Sequence, residues 1–374
     1  QTGFMAPTEL LVEQHFSNLC DWLRPLGIEV VRLTGAVMGP ARSKVLSSIA
    51  AGQAQVVVGT HALFQQGVQF RKLALMIVDE QHRFGVHQRL KLKQKGQKGV
   101  LSPHQLVMTA TPIPRTLAMI AYADLDCSII DELPPGRQPV QTAVVPESRR
   151  PQLVQRVLAH CRAGRQAYWV CPLIEESEVV DSQAAAKVGR ELELALPELA
   201  VGLIHGRMRS QEKDTIMRRF KEGGLDLLVA TTVIEVGVDA TNASLMIIEN
   251  SERMGLSQLH QLRGRVGRGS EVSSCVLLYK SPLSEVAQQR LRVIRETSDG
   301  FLVAQKDLEL RGPGEVLGTR QAGIMHLKVA DLVRDSDLLP QVIKLSDELL
   351  EKYPQRVSPL IRRWTSGATE YAKV

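Results

Sequence analysis

The chain has 374 residues, with 46 Lys and Arg against 40 Asp and Glu and a formal net charge of +6. That length accommodates two ordinary domains and an appendage, and the basic balance suits a polyanionic partner without demanding one. A hydrophobic share of 44% excludes a disordered chain, and no apolar stretch approaches the ~20 residues that span a bilayer.

The opening residues, Gln1-Thr2-Gly3-Phe4-Met5, carry no basic region and no cleavage signature, so they do not read as a signal peptide. They also lack a starting Met, and the simplest reading is a piece of a longer chain. Five cysteines, Cys20, Cys127, Cys161, Cys171 and Cys275, lie far apart with no CxxC pair. This argues against a disulfide framework or a zinc knuckle and suits free thiols in a reducing cytoplasm.

Helical patterns over Thr8 to Leu26 and Pro40 to Ala51 alternate with apolar runs at Val56 to Val58, Leu73 to Val78 and Leu106 to Met108. Near-continuous apolar strands between helices predict a parallel sheet covered on both faces. The alternation breaks at Asp131 to Pro139 (DELPPGRQP), which reads as a linker. A second series follows, with strands at Ala167 to Val170, Val201 to Ile204, Leu225 to Ala230, Leu245 to Ile248 and Cys275 to Tyr279. Helices at Pro151 to Arg162 and Gln211 to Phe220 connect them, and Pro282 to Glu296 reads as one helix opening a helical tail. The predicted architecture is α/β: two parallel-sheet lobes, 1–135 and 136–282, then a helical region, 283–374.

Leu73 to Val78 runs into Asp79-Glu80-Gln81-His82. Acidic groups at the carboxyl end of a buried parallel strand project into the crevice where such sheets bind ligands. Asp79 can position Mg²⁺ through water while Glu80 polarises an attacking water; alternatively the strand simply ends in solvated polar residues. Three types of side chain in one short turn do not make a preformed tetrahedral site, so His82 does not read as a metal ligand. Thr109-Ala110-Thr111-Pro112 follows the next strand. Its hydroxyls can bond the acidic loop, or cap a helix before Pro114.

Gln261 to Gly269 (QLRGRVGRG) spaces arginines with glycines, which allows close approach to a phosphate. Arg265 and Arg268 can stabilise a transferring γ-phosphoryl group, worth roughly 10³–10⁵ in rate where measured; they can also contact nucleic acid or surface carboxylates. Ala230-Thr231-Thr232 leads to Gly237-Val238-Asp239, a strand running toward a helix N-terminus with donors for phosphate oxygens. Asp239 suits a ribose hydroxyl or an arginine of the next segment.

Taken in order, these segments resemble the motifs of superfamily-two helicases, whose lobes are RecA-like. APTEL (6–10) and GTH (59–61) resemble motifs Ia and Ib, DEQH (79–82) motif II, and TATP (109–112) motif III. ATTVIEVGVD (230–239) resembles motif V and the arginine stretch motif VI. DEQHRFGVHQR, TATPIPRTLA, GRQAYWVCPLIEES and QLHQLRGRVGRG narrow the resemblance to the RecG family of bacterial replication-fork helicases, as does the tail segment DLELRGPG with LGTRQ.

The resemblance implies ATP and Mg²⁺ as cofactors, Glu80, Arg265 and Arg268 in hydrolysis, and Asp79, Gly237 and Asp239 at the nucleotide. It implies DNA contacts from Pro7, Thr8, Glu9, Gly59, Thr60, Thr231 and Thr232. Coupling of hydrolysis to movement falls to Gln81, His82, Thr109 and Thr111, and to Arg290, Arg311 and Gln321 in a helical hairpin shared with the translocase Mfd. Branched double-stranded DNA is the implied partner, single-strand-binding protein a candidate second one, and the implied setting a bacterial cytoplasm, with the chain a monomer and no membrane involved.

The sequence departs from the family by containing no G-x-x-x-x-G-K-[ST] loop. Gly39 to Lys44 is the nearest imitation and lacks the second glycine. The expectation is therefore that Gln1 follows that loop, that the amino-terminal wedge domain of the family is absent, and that the fragment alone is inactive. Two other readings stand beside the helicase: a duplex translocase without strand separation, like Mfd, and a non-enzymatic binding fragment.

Overall fold

The computed structural model describes residues 1–65, 67–81, 103–109, 126, 128–134, 137–172, 178–231, 240, 242–267, 269, 271–311, 335 and 338–364. The first lobe is a five-stranded parallel sheet with β1 (Thr2–Met5), β2 (Val30–Leu33), β3 (Val56–Gly59), β4 (Leu75–Val78) and β5 (His104–Val107), ordered β2-β3-β1-β4-β5. Side chains alternate across each strand, so Phe4 and Val58 face one side while Met5 and Val57 face the other. Helix α1 (Glu9–Leu23) buries Leu11, Val12 and Cys20 on the first face, and α2 (Gly39–Ala51) buries Ile49 on the second. β5 is the outer strand, and Leu106 on it is half exposed.

Two features of the first lobe differ from the sequence expectation. Helix α1 starts at Glu9 because Thr8 is its N-cap, accepting the Leu11 N–H; it ends at Leu23, and Arg24–Leu26 tighten into a 3₁₀ turn closed by Gly27 at φ 72°. β1 and β2 are additional to the expected strands, as is the outer strand of the second lobe at Gln141–Pro146.

The second lobe is a six-stranded parallel sheet. Its strands are β6 (Gln141–Pro146), β7 (Gln166–Val170), β8 (Val201–Ile204), β9 (Leu227–Ala230), β10 (Ala243–Ile248) and β11 (Ser274–Tyr279), ordered β6-β11-β10-β7-β9-β8. Trp169, Val229 and Ile247 face α3 (Arg150–Arg162) and α4 (Glu178–Ala195). Tyr168, Leu228 and Met246 face α5 (Ser210–Lys221) and α6 (Leu256–Arg263). The tail helix begins at Glu285, not Pro282, because Ser284 caps it by accepting the Ala287 N–H. This α7 (Glu285–Glu296) and α8 (Gly300–Arg311) bury Leu291, Ile294 and Val303 in the same core as α6. Helices α9 (Leu339–Lys352) and α10 (Pro354–Trp364) follow.

Among the described residues no helix is long and apolar enough to cross a membrane. Cys20, Cys161, Cys171 and Cys275 are free and buried. Burial pushes the Cys161 and Cys275 thiols up to about 12, and pushes Cys171 up as well, so these thiols are inert as nucleophiles.

Candidate functional site

The carboxyl ends of β1, β4 and β5 meet at one edge of the first sheet. Asp79 follows β4 directly; its N–H donates to Met5 O at 2.8 Å, and its Oδ1 accepts the Glu80 N–H at 2.9 Å. Glu80 takes φ 52°, a left-handed conformation that L-residues adopt seldom and that turns the chain sharply off the strand. Gln81 is buried, and its N–H donates to Met108 O at 3.1 Å. A backbone bond thus links the acidic loop to the residue before Thr109. His82 and Thr111 lie outside the described residues.

Several of the expected DNA-contacting residues also make hydrogen bonds within the chain. Thr8 caps α1 and Glu9 Oε1 accepts the Ala36 N–H at 3.2 Å, bracing the loop after β2. Pro7 precedes them, half-buried. Thr60 is buried and accepts the Ala62 N–H. Gly59 has a packing reason to be glycine, because a Cβ there would lie 2.2 Å from the Leu33 carbonyl oxygen.

In the second lobe, Thr231 follows β9, buried, with its N–H donating to Ile204 O and its hydroxyl unpartnered among the described residues. Thr232, Gly237, Asp239 and Arg268 lie outside the described residues. Arg265 is almost wholly buried just beyond α6, in a turn held by Gly264 N–H to His260 O and Arg265 N–H to Leu262 O. Gly267, at φ 77°, closes that turn.

Family comparisons cover most of the chain in three blocks. Residues 1–120 match the DEAD/DEAH box helicase model, 149–270 the helicase conserved C-terminal domain, and 297–364 the ATP-dependent DNA helicase RecG, domain 3, C-terminal. The ATP-dependent DNA helicase RecG of Escherichia coli strain K12 is 62% identical over 373 residues, covering 100% of this chain and 54% of the relative. The chain belongs to the RecG family. The Haemophilus influenzae RecG is 60% identical, again over 100% of this chain and 54% of its own length. A solved structure of RecG bound to a three-way DNA junction superposes with a TM-score of 0.68 at 43% identity, covering 91% of this chain and 43% of that one. The chain thus spans about half the length of the RecG relatives it matches.

Within this RecG-family chain two arginines brace the arginine turn, and a third holds the turn before α6. Arg137, in sequence merely a linker residue, donates from Nη2 to Gly264 O at 3.2 Å. Arg263, in sequence only a part of its motif, is buried and donates from Nη1 to Ile294 O and Thr297 O, both at 2.7 Å, and from Nη2 to His260 Nδ1 at 2.8 Å. Burial, then the Arg263 charge, lowers His260 to about 4, so the neutral ring is a stable acceptor. Arg290 spreads its fork over Met254 O at 2.8 Å and Glu252 O at 3.1 Å, the turn that precedes α6. No sequence signal distinguishes Arg137 from any surface arginine, and the arginine motif does not tell that Arg263 faces the end of α7. Arg311 is the last residue of α8, its side chain outside the described structure, and Gln321 lies outside the described residues.

Proposed function

We propose that this chain is the motor of an ATP-driven helicase that remodels branched DNA, with Mg·ATP held between the acidic edge of the first sheet and the arginine turn of the second. The observation that carries the reading is the pairing of two parallel sheets, one ending in Asp79 and Glu80, the other carrying Arg265, in a chain 62% identical to an ATP-dependent DNA helicase RecG. A RecG bound to a three-way junction supports branched DNA as the substrate class. The resemblance alone supports single-strand-binding protein as a partner and the monomeric state.

The residues fit a hydrated Mg²⁺. No cluster of three His, Cys, Asp or Glu occurs among the described residues, and one hard carboxylate completed by water and phosphate oxygens is how Mg²⁺ is usually bound. When bound, Mg²⁺ would neutralise phosphate charge. Asp79 would hold it, Glu80 would orient and polarise the attacking water, and Arg265 and Arg268 would stabilise charge developing on the γ-phosphoryl group.

The 374 residues contain no G-x-x-x-x-G-K-[ST] stretch, so the backbone cradle and lysine for the β- and γ-phosphates are not among them. The chain by itself is expected to bind Mg·ATP weakly or not at all. Titration with a fluorescent ATP analogue tests this; micromolar, Mg²⁺-dependent binding would move the nucleotide site elsewhere. In the complete gene product, Glu80→Gln should block hydrolysis while sparing nucleotide binding, because the amide keeps the shape and loses the carboxylate. Near-normal single-turnover hydrolysis on fork DNA would remove Glu80 from the mechanism.

A further inference from the structure

Helix α1 connects two parts of the molecule. Its first turn carries Leu10, which packs against the second-lobe core, and Glu9, whose charge adds to burial in raising the Asp214 carboxyl on α5. Its second turn carries His15. The imidazole lies on the Phe4 ring with centroids 4.5 Å apart, and its Nε2 is 2.8 Å from Asp79 Oδ2. An ionised carboxylate only accepts, so Nε2 bears the proton and donates. Oδ1 is meanwhile held by the Glu80 N–H. The carboxylate therefore has two anchors, one on its own loop and one on α1.

We propose that His15 is a positioning residue: it sets the rotamer in which Asp79 meets hydrated Mg²⁺, and it ties that rotamer to α1, so that contacts made at the helix's first turn are registered at the nucleotide site. The inference rests on the Mg·ATP reading of Asp79. Two features make the link sensitive. The six helical steps from Glu9 to His15 span only about 9 Å of a regular helix, so the first turn and His15 move together. A shift of under ~1 Å carries a 2.8 Å hydrogen bond beyond useful range.

The ring could instead serve only as packing for Phe4, and the variants separate these roles. In the complete gene product, His15→Phe keeps the ring and removes the donor, His15→Asn leaves an amide too short to reach Asp79, and His15→Gln places an amide N–H where Nε2 sits. Two readouts are needed: the Mg²⁺ concentration for half-maximal binding of a fluorescent ATP analogue, and the ratio of ATPase with and without a synthetic three-way junction. Partners that orient a metal-binding group typically contribute 10–100-fold in metal affinity. His15→Phe and His15→Asn should therefore need roughly tenfold more Mg²⁺ and lose most DNA stimulation, with His15→Gln restoring both to within about twofold. Native Mg²⁺ dependence and stimulation in His15→Phe or His15→Asn overturn the proposal. So does failure of His15→Gln alongside lowered melting temperatures in all three, which assigns the ring to packing. Asp79→Asn is the control for the underlying reading: unaltered Mg²⁺-dependent nucleotide binding in that variant sinks the assignment of Asp79 itself, whatever His15 does.

Discussion

Replacing Arg263 with Met keeps much of the side chain's length and its apolar stem while deleting three hydrogen bonds. Ile294 O is one of the last carbonyls of α7, with no partner inside the helix, and Thr297 O lies just past its end. Both, together with His260 Nδ1, lose a charged donor in a place that is 4% exposed at Arg263. A buried acceptor left unpaired costs about 1–3 kcal/mol, and breaking a buried charged network about 3–5 kcal/mol. Burial already penalises the guanidinium, lowering its pKa, and Met relieves that penalty, so the lower end, ~3 kcal/mol, is expected. Lys retains the charge but not the fork, and should recover about half. Urea unfolding of the chain, followed by the fluorescence of fully buried Trp169 in a Trp22→Phe, Trp364→Phe background, reads the second lobe. Hydrogen exchange should locate the loss in α6, α7 and α8, which share one core. A change below ~1 kcal/mol, or exchange confined to the surface of α3, would refute the view that Arg263 clamps the arginine turn to the tail.

Three further outcomes follow from the same geometry. Because His260 is held near 4 against 6.5 when unfolded, the unfolded state binds the extra proton between those values. Stability should fall as pH drops from about 6.5 toward 4, by up to ~3 kcal/mol, and His260→Asn, an untitratable acceptor, should show a smaller drop in parallel melts. Gly59→Ala should destabilise the first lobe by about 1–3 kcal/mol, since the new Cβ meets the Leu33 carbonyl; an unchanged melting temperature would show that β2 yields easily. In the complete gene product, Arg311→Ala should retain folding and DNA-stimulated ATPase but lose most fork unwinding, measured on one preparation with thermal melting as control, whereas parallel loss of both activities would reject a coupling role.

Much of the molecule is legible in local chemistry alone. Unbroken Val, Ile and Leu runs such as Val56 to Val58 have to be doubly covered strands, and Asp79 has to stand at the carboxyl end of one, because parallel strands present their crevice there. The arginine stretch announces itself by glycine spacing. β1 (TGFM) and β2 (VVRL) escape a reading by pattern, since Thr2-Gly3 and Arg32 break the apolar run that marks β3 at the same four-residue length, and the start of α7 is set by the Ser284 cap and not by apolar periodicity. What tertiary structure alone decides is which polar groups work on the protein itself. Thr60 Oγ1 and Glu9 Oε1, of residues expected to contact DNA, each accept a nearby backbone N–H. Arg137 and Arg263 become braces of the arginine turn, and His15 a partner of Asp79 sixty-four residues away. Sequence distance hides such pairs because a buried polar group takes whatever partner the fold brings within about 3 Å, and that choice is made only when the sheets and helices have packed.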